Sequence, residues 1–231
     1  MDNEVQRQKA RAAHHAATYV QSGMVVGLGT GATATLFVQR LGELLTSGAL
    51  QGIVGIPTSS TIEATAREQQ IPLSTLEDHP VIDLTVDGAD EVDPQLNLIK
   101  GGGGALLREK IVAQASKREV IIVDEGKLSA ILGTQWYVPV EVVTFGWRTQ
   151  FDFLARLGAK VTMRERKDGM PFVTDQGNYI LDANFGMIQE PAALAAKLSA
   201  RIGIVEHGLF VGLASEVIVG QQSGVRILSA K

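Results

Sequence analysis

The amino-acid sequence predicts an α/β fold, in which a Rossmann-like main domain with a parallel sheet carries a smaller α+β lobe. Two observations predict it. Between Met24 and Val123, short runs that are apolar on both faces alternate with helical segments, and such strands belong to parallel sheets covered by helices on both sides. From about Trp136 the strand-like pieces become short and turn residues separate them. We therefore expect a main domain of residues 1–135 and 206–231 and a lobe of residues 136–205.

The expected main domain begins with a helix and then alternates strand and helix. Residues 5–20 are rich in alanine and contain neither glycine nor proline, so they predict a helix that Ser22-Gly23 ends. Further helices are predicted at residues 33–45, 61–69 and 105–116. Apolar runs predict buried strands at residues 24–28, 52–56 and 120–123, and residues 81–86 predict a further strand between the second and the last of these.

The expected lobe mixes short strands with two helices. Asp168-Gly169 and Gln176-Gly177-Asn178 are typical of turns. They separate strands that we predict at residues 160–163, 171–174 and 179–182. Helices are predicted at residues 149–157 and 191–199, where Pro191 suits a first helical turn. From residue 206 to residue 228 the chain returns to strand-like apolar segments.

The composition is that of a soluble globular protein and excludes several classes of function. Of the 231 residues 45% are hydrophobic and 20% are charged, and the formal net charge of −4 predicts no general attraction to nucleic acid. The chain has no cysteine, which excludes disulfides and thiolate chemistry. The segment Met1 to Arg11 is polar and lacks the apolar core of a signal peptide, and no apolar run reaches the ~20 residues of a membrane helix. We expect a cytoplasmic protein with no membrane partner.

A glycine- and threonine-rich loop, residues 27–33, follows the first strand of the expected sheet. Its glycines let main-chain N–H groups approach a phosphate, and the next helix presents its positive end. The spacing also fits a loose dinucleotide motif, but the second strand runs into Pro57-Thr58-Ser59-Ser60 instead of an acidic residue that would bind a ribose. A phosphate cradle and a merely tight strand–helix turn remain as alternatives.

An acidic loop follows the third strand, where Asp87, Asp90, Glu91 and Asp93 fall within seven residues. Such a cluster is costly unless the carboxylates are solvated, paired or used. An EF-hand is excluded because the sixth loop position is not glycine and the twelfth is Leu98. A solvated turn, a weak magnesium site and a general acid for sugar hydroxyls stay open.

Two further loops carry charged residues at the same expected edge of the sheet. Lys100 precedes four consecutive glycines, and Glu109 lies in the helix that follows them. Glycines between a strand and a helix are no passive linker, but an exposed helix face is the simpler reading of Glu109 and Lys110. Taken alone, the segment Asp124-Glu125-Gly126-Lys127 predicts a surface turn; it is of interest because it leaves the same edge of the sheet as the other loops. The four histidines show no metal-ligand spacing.

Taken together, these motifs resemble those of the A-type ribose-5-phosphate isomerases over nearly the whole chain. The order and spacing of the pieces make the resemblance specific. They are Gly27-Leu28-Gly29-Thr30-Gly31-Ala32-Thr33, Asp87-Gly88-Ala89-Asp90-Glu91, Lys100-Gly101-Gly102-Gly103, Arg108-Glu109-Lys110, Lys127, Pro139-Val140-Glu141-Val142 and residues 174–182.

The resemblance implies an aldose–ketose isomerase that interconverts D-ribose 5-phosphate and D-ribulose 5-phosphate in the non-oxidative branch of the pentose phosphate pathway. It implies Glu109 as general base, with Asp87 and Lys100 as further catalytic residues at the reacting end of the sugar. It implies no metal, no cofactor and a homodimer or a dimer of dimers. The implied substrate-binding residues are Thr30, Gly31, Ala32, Thr33, Asp87, Gly88, Ala89, Asp90, Lys100, Gly101, Gly102, Gly103, Lys127 and Lys9. Position 32 departs from the family, because relatives often carry serine there.

The residue types suit this chemistry. One carboxylate can move a proton between C2 and C1 through a cis-enediolate, and a lysine with main-chain N–H groups can stabilise the enediolate oxygens. A phosphate remote from the reacting carbons serves as the anchor. An acyl-CoA transferase, with Glu109 as nucleophile, is disfavoured because the chain is short for an enzyme that must also hold CoA. A sugar-phosphate sensor is disfavoured because the sequence shows no DNA-binding segment. An NAD-dependent oxidoreductase is disfavoured because the sequence lacks the acidic residue that would bind the ribose.

Overall fold

The computed structural model describes residues 2–229. Within this range the helices are α1 Asp2–Ala17, α2 Ala32–Thr46, α3 Ser60–Glu68, α4 Leu106–Gln114, α5 Trp147–Arg156 and α6 Pro191–Ser199. The strands are β1 Val25–Leu28, β2 Val54–Pro57, β3 Leu84–Asp87, β4 Glu91–Val92, β5 Leu98–Ile99, β6 Glu119–Asp124, β7 Val138–Val142, β8 Lys160–Met163, β9 Tyr179–Asn184, β10 Ile204–His207, β11 Leu209–Phe210, β12 Glu216–Gln221 and β13 Gly224–Ser229. A 3₁₀ turn spans Glu125–Lys127.

The chain forms two compact units. The first contains the residues up to Ala89, Arg108–Lys127 and the residues from Gly212 onwards; the second contains Asp90–Leu107 and Leu128–Val211. These boundaries differ from those that we expected from composition, because residues 90–107, 128–135 and 206–211 belong to the second unit. The short strands β4, β5 and β11 account for most of the difference, since two-residue strands leave no pattern in a sequence.

The first unit is built on a six-stranded sheet with the order β13-β12-β6-β3-β1-β2. All pairs are parallel except β12–β13, which is an antiparallel hairpin. Apolar residues of the strands pack against helices α1 and α2 in one core that includes Val26, Val86, Phe37 and Leu41. The expected α/β class with a parallel sheet is confirmed. The carboxyl ends of β1, β3 and β6 lead into the loops that carry the predicted site residues of this unit.

The second unit contains two antiparallel sheets, with the orders β10-β7-β9-β8 and β11-β5-β4. Strand β7 lies inside the larger sheet, where Val140 pairs with Leu181 of β9 and His207 of β10. Its inward residues pack with Leu154 of α5 and Leu198 of α6 in a second core. This arrangement agrees with the α+β character expected for the lobe.

The prediction of a strand at residues 171–174 is wrong, because this segment forms no regular strand. Only isolated bridges join Glu165 to Pro171 and Val173 to Tyr179. Pro171 has no N–H group, so it cannot contribute to a continuous ladder. The segment instead makes single main-chain bonds, from the Phe172 N–H to the Arg164 carbonyl and from the Thr174 N–H to the Asn178 carbonyl.

Candidate active site

The glycines at the end of β1 and in the loop after it are required by close packing against β3. A Cβ at Gly27 would lie 1.8 Å from Thr85 Oγ1, and one at Gly29 would lie 2.2 Å from Asp87 Oδ1. The Gly29 N–H donates to the Val86 carbonyl at 3.0 Å, which continues the pairing of β1 with β3. Gly31, at the N-cap of α2, has a φ of 113° that favours glycine. The loop therefore places main-chain N–H groups at the positive end of a 15-residue helix.

Thr30 and Asp87 are brought together within the first unit. Asp87, only 1% exposed, accepts the main-chain N–H groups of Thr30 at 3.0 Å and Gly88 at 2.7 Å through Oδ1. These two bonds hold the carboxylate in one orientation. Gly88 and Ala89 continue the loop and are half-buried, while Ala32 is exposed and Thr33 is buried at the start of α2.

Two residues that the sequence does not indicate, Thr58 and Ser59, support Thr30. The Thr30 hydroxyl donates to Ser59 Oγ at 2.8 Å and lies 2.8 Å from Thr58 Oγ1. Ser59 also caps α3 by accepting the Ile62 N–H at 3.2 Å. From the sequence alone, residues 57–60 indicate only that the second strand is not followed by an acidic residue. The feature that could have indicated them is the run of hydroxyl side chains at the end of a predicted parallel strand.

Glu109 is buried in the first turn of α4, with 5% of its surface exposed, and Lys110 beside it is 7% exposed. The alternative of an exposed helix face is therefore wrong for both residues. A carboxylate in the first turn of a helix is stabilised by the helix dipole.

Lys127 lies half-buried in the 3₁₀ turn that follows β6. Within that turn Asp124 Oδ1 accepts the Gly126 N–H at 3.1 Å. Helix α1 contacts the same turn, because the side-chain amide of Gln8 donates to Glu125 Oε1 at 2.6 Å. Lys9 is the next residue along α1 and is half-buried. The sequence does not indicate this contact between Gln8 and the turn.

The rest of the acidic loop, in the second unit, is paired with main-chain groups. Asp90 accepts the Gly102 N–H at 2.7 Å. Asp93 accepts the N–H groups of Gln95 and Asn97, both at 2.9 Å. Glu91 is fully buried and accepts four N–H groups at 3.0–3.1 Å, from Gly133, Thr134, Gln135 and Trp136. The alternative of a solvated turn is therefore wrong for these acids. Across residues 2–229 no three His, Asp or Glu side chains lie close enough to hold a metal ion.

Lys100 begins the glycine loop of the second unit and is 1% exposed. Its main-chain N–H donates to the Gly208 carbonyl at 2.9 Å, and its Nζ lies 5.4 Å from the centre of the Phe210 ring. Gly101 has a φ of 95°, and a Cβ at Gly102 would lie 2.6 Å from Asp90 Oδ1. Gly103 is exposed. The loop thus combines a buried cation with main chain that only glycine can form.

The chain matches the family of ribose 5-phosphate isomerase A (phosphoriboisomerase A) over residues 54–224. It belongs to this family. Ribose-5-phosphate isomerase A of Chloroflexus aurantiacus is 56% identical over 218 residues, which cover 94% of this chain and 91% of the relative. The isomerase of Desulfatibacillum aliphaticivorans is 54% identical over 222 residues, 96% of each chain.

Solved structures of ribose-5-phosphate isomerases have the same fold. One, in complex with phospho-erythronic acid, has a TM-score of 0.95 and 41% identity over 97% of this chain and 99% of its own. The isomerase of Plasmodium falciparum has a TM-score of 0.94 and 42% identity over 98% and 99%. The chain is therefore an enzyme of the aldose–ketose isomerase class, as its motifs predicted. No helix in the described part of this isomerase is long and apolar enough to cross a membrane.

Proposed function

We propose that this isomerase interconverts D-ribose 5-phosphate and D-ribulose 5-phosphate through a cis-enediolate, with Glu109 as the general base. The observation that carries the proposal is the burial of Glu109 in the first turn of α4, nine positions after Lys100. Burial partly shields this carboxylate from bulk water, so the abstracted proton either returns to the substrate or exchanges with solvent before the transfer.

In the proposed reaction, Glu109 removes the proton from C2 of the open-chain aldose. The electron pair of that bond forms the C1–C2 double bond, and the carbonyl electrons move onto O1. Glu109 then returns the proton to C1, while the proton of the C2 hydroxyl moves to O1 and C2 becomes the carbonyl. One carboxylate serves both carbons because they are adjacent.

The negative charge on the enediolate oxygens requires fixed donors. We assign this role to the Lys100 ammonium and to the N–H groups of Gly101 and Gly103, since donors that are already oriented cost no reorganisation during the reaction. The N–H of Gly102, between them, is donated to Asp90. Asp87 and Asp90, whose carboxylates are oriented by main-chain N–H groups, hold the sugar hydroxyls and assist ring opening. Gly88 and Ala89 form the substrate side of that loop.

The substrate phosphate is the anchor in this proposal. Beyond Thr30, whose N–H is donated to Asp87, the loop donates the main-chain N–H groups of Gly31, Ala32 and Thr33, so alanine at position 32 loses only a hydroxyl. Lys127 and Lys9 add positive charge to match the dianion. Binding energy from the phosphate helps to hold C1 and C2 in place although the phosphate does not react.

The ligand of a solved relative supports this scheme. Phospho-erythronic acid, named in that complex, is a phosphorylated acid whose carboxylate has two oxygens that share a negative charge, as the enediolate oxygens do. We expect it to bind this chain more tightly than ribose 5-phosphate, because transition-state analogues exceed substrates in affinity.

We further propose a cytoplasmic homodimer that needs no metal or cofactor and acts in the non-oxidative branch of the pentose phosphate pathway. Sedimentation of the purified protein tests the dimer.

The activity itself is tested by giving purified protein ribose 5-phosphate and nothing else. We expect ketose to accumulate until the two sugars reach equilibrium. A folded protein that forms no ketose, or that requires a nucleotide or CoA, would exclude the proposed activity.

A further inference from the structure

Arg164 binds the glycine loop from its carbonyl side, within the second unit. It follows β8, and its side chain is 11% exposed. Its Nη1 donates to the carbonyl oxygens of Gly101 at 2.8 Å and Gly102 at 3.1 Å. Its Nε and Nη2 donate to the two carboxylate oxygens of Asp182 on β9, at 3.0 Å and 2.5 Å. One guanidinium therefore ties two successive loop carbonyls to a buried carboxylate.

These bonds fix the direction of two N–H groups of the loop. In a trans peptide the N–H points away from the carbonyl of the preceding residue, and the described residues contain no cis peptide bond. Because Arg164 holds the carbonyls of Gly101 and Gly102, the N–H groups of Gly102 and Gly103 point away from it. The Gly102 N–H is donated to Asp90 at 2.7 Å, which agrees with this direction.

The loop needs such a restraint because it consists of four glycines. Glycine has the largest backbone freedom of any residue. Within the loop the Gly104 N–H donates to the Gly101 carbonyl at 2.9 Å, and the bond from Arg164 to the Gly102 carbonyl adds a restraint on the next peptide. A planar guanidinium presents its donors in a rigid fork that can meet two carbonyls and a carboxylate together. Tyr137 and Phe172 flank it, with ring centres 5.9 Å and 6.0 Å from Cζ. A lysine ammonium cannot reproduce that set of contacts.

We propose that Arg164 is a positioning residue for the isomerisation: it orients the Gly102–Gly103 peptide so that the Gly103 N–H donates to an oxygen of the enediolate. Arg164 does not touch the substrate. Asp182 acts one step further away, because its carboxylate holds the guanidinium in place. The inference rests on the proposed function and adds the residue that orients its main-chain donor.

The test compares Arg164→Lys with Arg166→Lys. Arg166 is a matched control two positions along, since it forms an exposed ion pair with Asp168 at 3.0 Å. Complete removal of an oxyanion donor lowers kcat by about 10²–10³-fold. For Arg164→Lys, which misaligns a donor without removing it, we expect kcat to fall by about tenfold to a hundredfold and KM to change less than about threefold. The control should match the wild type in both.

Affinity for phospho-erythronic acid separates positioning from a general loss of structure. We expect Arg164→Lys to weaken binding of this acid by about the same factor as kcat, while KM for ribose 5-phosphate stays near the wild-type value. A rise in KM with unchanged kcat would mean that Arg164 serves substrate binding, and an unchanged kcat and KM would mean that it serves neither; both overturn the inference.

Two further measurements decide the matter if Arg164→Lys folds poorly. Asp182→Asn keeps the shape of the partner and removes its charge, and it should lower kcat with little change in KM. In Arg164→Ala, added guanidinium ion at non-denaturing concentration should restore part of kcat, whereas urea should not. A normal kcat in folded Asp182→Asn together with no rescue would overturn the inference. Absence of isomerisation by the wild type in the same assay would instead exclude the proposed function.

Discussion

The main-chain N–H of Thr30 donates to Asp87 Oδ1 over 3.0 Å, although the two residues are 57 positions apart in the chain. The parallel register that pairs Leu28 with Val86 brings the ends of β1 and β3 side by side. The loop that we assign to the phosphate and the carboxylate that we assign to the sugar are therefore parts of one hydrogen-bonded structure. A change that separates the two strand ends should disturb both.

Gly29→Ala tests this packing. The new Cβ would lie 2.2 Å from Asp87 Oδ1 and 2.4 Å from Asp87 Cα, so main chain and side chain must both move. We expect the free energy of unfolding to fall by about 1–3 kcal/mol and kcat to fall because Asp87 is displaced. Gly48→Ala is the control: its φ of 74° costs on the order of 1–2 kcal/mol, but no heavy atom lies within 4 Å of the new Cβ, so kcat should stay normal. Denaturant unfolding and steady-state kinetics give both values, and a normal kcat in Gly29→Ala would refute the prediction.

Lys127→Ala should weaken binding of the phosphate. Loss of a charge-assisted hydrogen bond costs roughly 1.5–3 kcal/mol, which is about a ten- to hundredfold rise in KM for ribose 5-phosphate. Lys117→Ala is the matched control in the same unit, because Lys117 pairs with Asp83 at 2.7 Å on the surface. Steady-state kinetics of both variants check this. If KM and kcat are the same in Lys127→Ala as in the wild type, Lys127 does not contact the substrate.

Removal of metal ions should leave activity unchanged. Asp90, Glu91 and Asp93 already accept main-chain N–H groups, and ligands to magnesium must offer their oxygens to the ion instead. Initial rates before and after exhaustive chelation provide the measurement. A loss of activity that magnesium or manganese restores would show that the acidic loop binds a metal.

Glu141 should make the stability of the protein fall as the pH rises. This carboxyl is fully buried in β7; its Oε1 accepts from Thr174 Oγ1 at 2.8 Å and Asn178 Nδ2 at 2.9 Å. Burial raises the pKa of Glu141 above its ordinary value of 4.5, against the two hydrogen bonds, and the charges of Glu206 and Asp175 raise this pKa further. The folded state therefore binds the proton more tightly than the unfolded state. Stability from this group is lost as the pH rises through the window between the ordinary and the raised pKa.

The variant Glu141→Gln isolates that contribution, because glutamine keeps an oxygen for Thr174 and Asn178 and carries no charge. We expect the free energy of unfolding of Glu141→Gln, relative to the wild type, to rise as the pH increases above the ordinary glutamate pKa of 4.5. Glu68→Gln, at the exposed end of α3, is the control for removal of a surface carboxyl group. Urea unfolding across this range measures the difference. A flat difference for Glu141→Gln would show that its folded-state pKa is not raised.

Short-range sequence patterns predict the parallel sheet, the helices and the four loops. Glycines at 27 and 29 and the acid at 87 each follow an apolar run, so their place at a parallel sheet edge could be predicted. The roles of Glu91 and Arg164 could not, because their partners are distant: Glu91 binds N–H groups more than 40 positions on, and Arg164 binds carbonyls 62 and 63 positions back. The burial of Glu109 could not be predicted either, because the sequence of α4 shows little hydrophobic periodicity that would indicate which face of the helix is buried.

The central claim, that Glu109 moves the proton, is tested most directly by isomerisation in deuterated water. The wild type should place solvent deuterium on C1 of the ribulose 5-phosphate that it forms, because the proton held by a carboxylate exchanges with solvent. Glu109→Gln keeps the shape of the side chain and removes the basic oxygen, so it should fold normally, lose about 10²–10⁴-fold in rate and incorporate almost no deuterium. Near-normal incorporation of deuterium by folded Glu109→Gln would contradict the account.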